Sequence, residues 1–189
     1  MKLDKLKKEV LEYCKRNPDE LFVMGKLLSA IHKGGEGLFD RKSMAGHCTS
    51  SMLVLSSDHE QALLIHHKVY GTWIPPGGHF EADSASLYES AVRELREETG
   101  LTEFNGLLWD DFLLDIDTHA IPERREKGEG AHWHYDFMYV AEAPRDFQLV
   151  PQESEVKGVE WRSLSDLAQD SIERNRRLVH KLKLLGQLP

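Results

Sequence analysis

The chain has 189 residues, of which 40% are hydrophobic and 30% charged, and a net charge of −8. That composition fits one globular domain with appendages, and it excludes a helical membrane protein because no run approaches the ~20 apolar residues a span needs. The acidic balance argues against nonspecific binding to nucleic acid or an anionic membrane, and an acidic protein that handles phosphates needs a metal ion to bring positive charge to them.

Residues 2–16 are expected to form a helix, since Leu3, Leu6, Val10, Leu11 and Cys14 recur at helical spacing. The same segment has no apolar secretory core or small-residue cleavage site. Cys14 and Cys48 fit neither a disulfide framework nor a metal motif, so a reducing cytoplasm is the expected location. Asn17-Pro18 ends the helix, and Asp19 is placed to cap a second one running to about Ile31. HKGGEG (32–37) reads as a linker, because no lysine of P-loop type follows it.

Strands are expected over 48–57 and 61–67, joined at Asp58-His59 as a hairpin, and over TWIPPGG (72–78). A helix over 84–99 follows, with Asp83 as its cap and Gly100 just beyond its end. Further strands are expected near 106–119, 131–141 and 156–164, then a closing helix over 165–186. Without regular βαβ alternation the fold class is α+β, or a mixed-sheet α/β/α sandwich. The organisation is an N-terminal helical extension (1–44) followed by one domain (45–189) that includes the closing helix.

The helix over 84–99 carries the chemistry. At about 100° per residue, Leu87, Tyr88, Ala91, Val92 and Leu95 form an apolar arc. Glu94 and Glu98 fall at its margin, Glu97 lies between them and the wet side, and Glu89, Arg93 and Arg96 lie opposite. A solvated charged face is one reading, because exposed like-charge pairs cost only about 0.2–0.5 kcal/mol. Beside a buried stripe each pair costs roughly 3 kcal/mol, taking an effective dielectric near 20 and about 6 Å separation. A divalent cation removes that cost, and carboxylates are the ligands Mg²⁺ prefers. Gly77 and Gly78 let the backbone approach a ligand closely and expose a carbonyl, and Arg93 can pair with Glu89 and Glu97 at i,i+4 to orient the carboxylates.

RELREETGL (93–101) resembles the second half of the Nudix box, Gly-x5-Glu-x7-Arg-Glu-U-x-Glu-Glu-x-Gly-U with U aliphatic, in every defined position. The element order from about 47 to 165 is similar to the Nudix fold, which implies an α/β/α sandwich with a mixed sheet. The first half of the box departs: five residues beyond Gly78 stands Ser84 rather than Glu, and the Gly78–Arg93 spacing is one residue too long. Asp83 or Glu81 is the candidate substitute for that first glutamate. GGHFEADSASL is similar to a bacterial Nudix variant with a Gly-Gly-His start and this insertion. The resemblance implies hydrolysis of a nucleoside diphosphate linked to another moiety, with Glu94, Glu97, Glu98 and the Gly77 carbonyl holding Mg²⁺ or Mn²⁺ and Arg93 orienting Glu94 or Glu97. The general base is a box glutamate or one from a later loop, here Glu153 or Glu155 in VPQESEV; plain surface charge is the alternative for both.

Two other readings of the same fold stay open. One is a catalytically inactive nucleotide-binding or regulatory module, against which the intact Arg-Glu-x-x-Glu-Glu set counts. The other is an isopentenyl diphosphate isomerase type of chemistry, which needs a protonating thiol, with Cys48 as a weak candidate. The expected partner is a small nucleotide derivative, and the N-terminal helices are candidates for a homodimer contact.

A second constellation spans 115–136. Asp115, Asp117 and His119 alternate on one strand face, and His132, His134 and Asp136 on another. A symmetric hairpin would put Asp115 opposite Asp136, Asp117 opposite His134 and His119 opposite His132, with Trp133, Tyr135, Phe137 and Tyr139 facing the core. This row reads as cross-strand ion pairs on a wet face, as a substrate-binding wall (Asp117, His119, His132 and His134, with His79 beside the glycines), or as a separate Zn²⁺ site. Arg124, Arg125 and Lys127 in loop 122–130 are placed to reach phosphates if that loop closes. His47, His66 and His67 read as surface or structural.

Overall fold

The computed structural model describes residues 2–35, 37–81, 83–125 and 128–188. The N-terminal helices are α1 (Lys2–Arg16) and α2 (Gly25–His32), with a 3-10 turn at Pro18–Glu20 between them. Then come β1 (His47–Ser56), β2 (Gln61–His67), β3 (Trp73–Ile74), β4 (Gly77–His79) and α3 (Leu87–Thr99). β5 (Asn105–Gly106), β6 (Leu113–Ile121), β7 (His132–Ala143) and β8 (Val156–Ser163) follow, and α4 (Leu164–Leu167) and α5 (Glu173–Leu184) close the chain.

All ten residues of β1 are buried, because it runs through the middle of a mixed sheet with a helical layer on each face. Its whole length pairs in parallel with β7, while β2 and β4 share its other edge, both antiparallel. Alternation along β1 divides the interior. Cys48, Met52 and Val54 join Tyr135, Phe137 and Tyr139 against Leu6, Val10, Tyr13 and Leu27 of α1 and α2 and Leu87, Ala91 and Leu95 of α3. Leu53 and Leu55 join Met138 and Val140 on the other face, under Leu164, Leu167, Leu178, Val179 and Leu182 of α4 and α5. Leu6, Val10, Tyr13, Met24, Leu27 and Leu38 of the 1–44 extension thus pack into the same interior as the sheet.

Several boundaries differ from expectation. Ser86, not Asp83, caps α3 by accepting from Glu89 N at 3.2 Å, and Glu89 returns the contact by accepting from Ala85 N at 3.0 Å. Residues 84–85 stay outside the helix because that reciprocal cap begins one step later. Asp19 caps nothing, since Pro18 starts a 3-10 turn and the second helix waits until Gly25. The closing helix is two helices. Asp170 accepts from Ile172 N at 3.1 Å and from Asn175 Nδ2 at 2.8 Å, which starts α5 afresh. The strand expected over 106–119 is two strands, β5 and β6.

Candidate functional site

β4 and α3 meet through the two glycines. A Cβ on Gly77 would lie 2.5 Å from Ser51 Oγ and 2.6 Å from Ser50 O, and one on Gly78 would lie 2.3 Å from Glu94 Oε1. The Gly-Gly pair therefore follows from two close approaches, one to β1 and one to a carboxylate. Gly77 N donates to Glu98 Oε2 at 2.8 Å. Arg93 donates to Glu94 Oε1 and Glu97 Oε2, each at 2.8 Å, and to the His79 carbonyl at 3.0 Å. Glu89 is engaged in the cap, so Arg93 takes Glu94 in its place and lies only partly on the wet side.

The three carboxylates form a graded series. Glu98 is 1% exposed, Glu94 is half-buried and Glu97 is exposed. Burial pushes the Glu98 carboxyl up to about 8 against the pull of the Gly77 N–H, with Glu94, Glu155 and Glu97 adding to the rise. Burial also raises Glu94, against the nearby Arg93. The neighbouring cation, Arg93, reaches Glu94 and Glu97, whereas Glu98 has a single backbone donor among the described residues. A buried carboxylate that a bare chain keeps partly protonated, beside two more carboxylates, is a hard-oxygen donor set that fits Mg²⁺ or Mn²⁺.

The 150–155 segment docks on the end of α3, with Val150 N on Thr99 O at 2.8 Å and Gln152 N on Glu98 O at 3.3 Å. Glu155 lies close enough for its charge to raise both Glu94 and Glu98. Glu153 meets Lys68 through its backbone carbonyl, and both glutamate side chains are exposed.

The 115–136 patch forms, two residues out of the expected register. Asp117 pairs with Asp136, His119 with His134 and Ile121 with His132, while Asp115 sits beside Met138. The bridge from Arg124 to Glu129 continues the same register toward the turn, and a shift of two residues moves the pairing without exchanging faces. Arg125 pairs with Glu123 in the open, Arg124 stacks on Tyr70, and Lys127 lies outside the described residues.

The patch is not a row of wet ion pairs. Its acidic end is buried beneath α5, where Arg177 Nη2 holds Asp115 at 2.8 Å and Asp117 at 2.7 Å, Arg174 meets Asp136, and Lys181 holds Asp115 at 2.7 Å. Thr49 and Ser51 also donate to Asp136. Burial would raise the Asp117 carboxyl, but His119, Arg174 and Arg177 hold it well below the usual range. These α5 cations escaped the sequence reading. Their signal was present: 174, 177 and 181 follow i, i+3, i+7 beside Leu178 and Leu182.

The other end of the patch is imidazole. His47, expected to be surface or structural, is 1% exposed and packs on His132, His134 and His79, with ring centroids 4.9, 4.8 and 5.2 Å away. His119 lies 5.5 Å from His134. Burial, then neighbouring histidine charge, holds His134 down to about 2; burial, then Arg41 and His47, holds His79 near 4.

The NUDIX domain family profile matches residues 47–182. An isopentenyl-diphosphate Δ-isomerase of Cereibacter sphaeroides is 28% identical over 147 residues, covering 73% of this chain and 75% of its own. A Lactococcus lactis protein named "Probable DHNTP pyrophosphohydrolase" is 35% identical over 95 residues, 50% of this chain and 52% of that one. In shape, the chain is similar to a Caenorhabditis elegans Ap4A hydrolase in a binary complex. The TM-score is 0.56 at 17% identity, over 75% of this chain and 98% of the other, a likeness of fold.

Proposed function

This chain belongs to the NUDIX domain family as one of its hydrolases, and from that premise we propose that it cleaves the P–O–P linkage of a nucleoside diphosphate joined to another moiety, with Mg²⁺ or Mn²⁺ required. The observation that carries this reading is Glu98, a buried carboxylate beside Glu94 and Glu97 whose burial is offset, among the described residues, by one backbone N–H. Glu94, Glu97, Glu98 and the Gly77 carbonyl would hold the ion, which when bound neutralises phosphate charge and acidifies a water. Arg93 ties Glu94 and Glu97 to the β4 carbonyl of His79 and so keeps two ligands in place. Glu155 is the better placed of the two loop glutamates to accept a proton, since its charge is felt at Glu94 and Glu98. His79 and His119, only partly buried, are the proposed substrate contacts, with Asp117, His132 and His134 forming the floor beneath them.

The test is hydrolysis of a nucleotide-derivative panel, including diadenosine polyphosphates, ADP-ribose and pterin triphosphate, with Mg²⁺, Mn²⁺ or chelator. Glu98→Gln is expected to lower turnover by about 10³-fold with folding intact, roughly 4 kcal/mol of transition-state stabilisation. Unchanged turnover in that variant would remove the assignment of the site, and ligand binding without turnover in the parent chain would favour the regulatory-module reading. Isomerase chemistry loses its thiol candidate: Cys48 faces the apolar interior and burial raises its pKa further. No helix among the described residues is long and apolar enough to cross a membrane, and a cytoplasmic location is part of the proposal. So is a homodimer, which light scattering tests.

A further inference from the structure

We propose that His47, His132 and His134 form a second metal site, separate from the glutamate box, for a borderline-soft divalent ion of the zinc type. Among the described residues these three, all buried, each offer one ligand atom within 4.8 Å of the others. His132 Nδ1 lies 2.8 Å from the Gly130 carbonyl and His47 Nδ1 lies 3.2 Å from the Ser43 carbonyl. A carbonyl only accepts, so both Nδ1 atoms carry the proton and both Nε2 atoms present a lone pair. Backbone carbonyls fixing the outer nitrogen in this way are the usual support of a metal-bound imidazole.

Two further observations point to a ligand. His47 Nε2 is a buried atom with no hydrogen-bond partner among the described residues, a state that costs free energy unless something fills it. His132 Nε2 and His134 Nε2 stand 3.1 Å apart, close to the ~3.3 Å that separates two nitrogens bound at 2.0–2.1 Å to one tetrahedral ion. Glu129 Oε1, 3.8 Å from His132 Nε2, can supply a neutralising carboxylate, or the fourth position can take water. Two strands build the site, β1 and β7, which pair in parallel with His47 beside His134, and β4 brings His79 to the same face through Thr49. An imidazole set selects Zn²⁺, Co²⁺, Ni²⁺ or Cu²⁺ over Mg²⁺, whereas the box carboxylates prefer the hard ions, so the two sites take different metals. In this arrangement His132 and His134 ligate the ion and His79 and His119 remain free to face substrate.

The experiment uses the full chain stripped with chelator and kept in millimolar Mg²⁺. Zn²⁺ is titrated against a chromophoric chelator, and Co²⁺ is followed by its visible d–d absorption. One tightly held Zn²⁺ per chain and tetrahedral-type Co²⁺ bands are expected. His132→Asn and His134→Asn should each weaken Zn²⁺ by about 100-fold, while Glu94→Gln and Glu98→Gln leave it unchanged. Absent Co²⁺ bands in the unmutated protein would overturn the proposal even if the histidine variants fail to fold. So would Zn²⁺ affinity that follows Glu98 and ignores His134.

Discussion

Gly78→Ala separates what the glycine pair does for catalysis from what it does for folding. The added Cβ would stand 2.3 Å from Glu94 Oε1 and 2.5 Å from its Cδ, whereas ordinary van der Waals contact begins near 3.4 Å. β4 cannot retreat, because Gly78 is paired to Ser50 of β1. Glu94 must therefore swing by about 1 Å, which gives up its bond to Arg93 at 2.8 Å. A charge-assisted bond of that kind contributes about 1.5–3 kcal/mol. Burial already holds the Glu94 pKa up, so moving toward solvent returns part of that figure and the net loss of stability should stay below about 2 kcal/mol. A ligand displaced by about 1 Å costs on the order of 10²-fold in rate.

Gly77→Ala is the control with the opposite balance. Its Cβ would meet Ser50 O at 2.6 Å and Ser51 Cα at 2.7 Å, and backbone cannot rotate aside as a carboxylate can. Its cost falls on stability, about 3 kcal/mol. Urea unfolding and turnover measured on both variants give the comparison. Gly78→Ala turning over within a factor of about three of the parent, at unchanged stability, would refute the close-packed cradle.

Two other outcomes concern folding. Burial raises the Glu9 carboxyl to about 7, and its Oε1 has no partner among the described residues. Because the folded pKa exceeds the unfolded value near 4.5, this group's contribution is complete below pH 4.5 and is lost as pH rises through 7, by up to about 3 kcal/mol. Glu9→Gln should flatten that part of the stability–pH curve measured in urea and raise stability at pH 8. Arg177→Met leaves Asp115 with Lys181 at 2.7 Å and the more distant Arg174 at 3.9 Å, and should cost about 3 kcal/mol in the same assay.

What could be read from the sequence was local, and what was missed was not. Glu94, Glu97 and Glu98 were placed by helical angle alone, and the order of their burial follows the angles from the apolar arc closely: Glu98 is buried and Glu97 exposed. The two glycines were given to close approach of a ligand, whereas the close approaches in the fold are to Ser50, Ser51 and Glu94 on two other elements of the chain. The faces of β6 and β7 were correct because period two survives a shift of two residues. Their register was not, because it is set by where the chain turns between the two strands, which alternation along each strand does not specify.

His47 shows the limit most clearly. Nothing within ten residues of it marks it as a partner of His134, since the two meet only through a parallel pairing that joins segments 87 positions apart. The same distance problem hid the charge balance of the patch. From sequence, one mixed row set Asp115 opposite Asp136, Asp117 opposite His134 and His119 opposite His132. In the fold Arg174, Arg177 and Lys181 neutralise the aspartates from a helix near the end of the chain. His119 instead meets Asp117 along its own strand, at 2.7 Å. With the carboxylates so engaged, Glu129, 3.8 Å from His132 Nε2, is the acid within ion-pair distance of His47, His132 and His134 among the described residues. The aspartates thus belong to the α5 cations, and the ring nitrogens of His47, His132 and His134, within 4.8 Å of one another, are left as the donor set of the proposed second metal site.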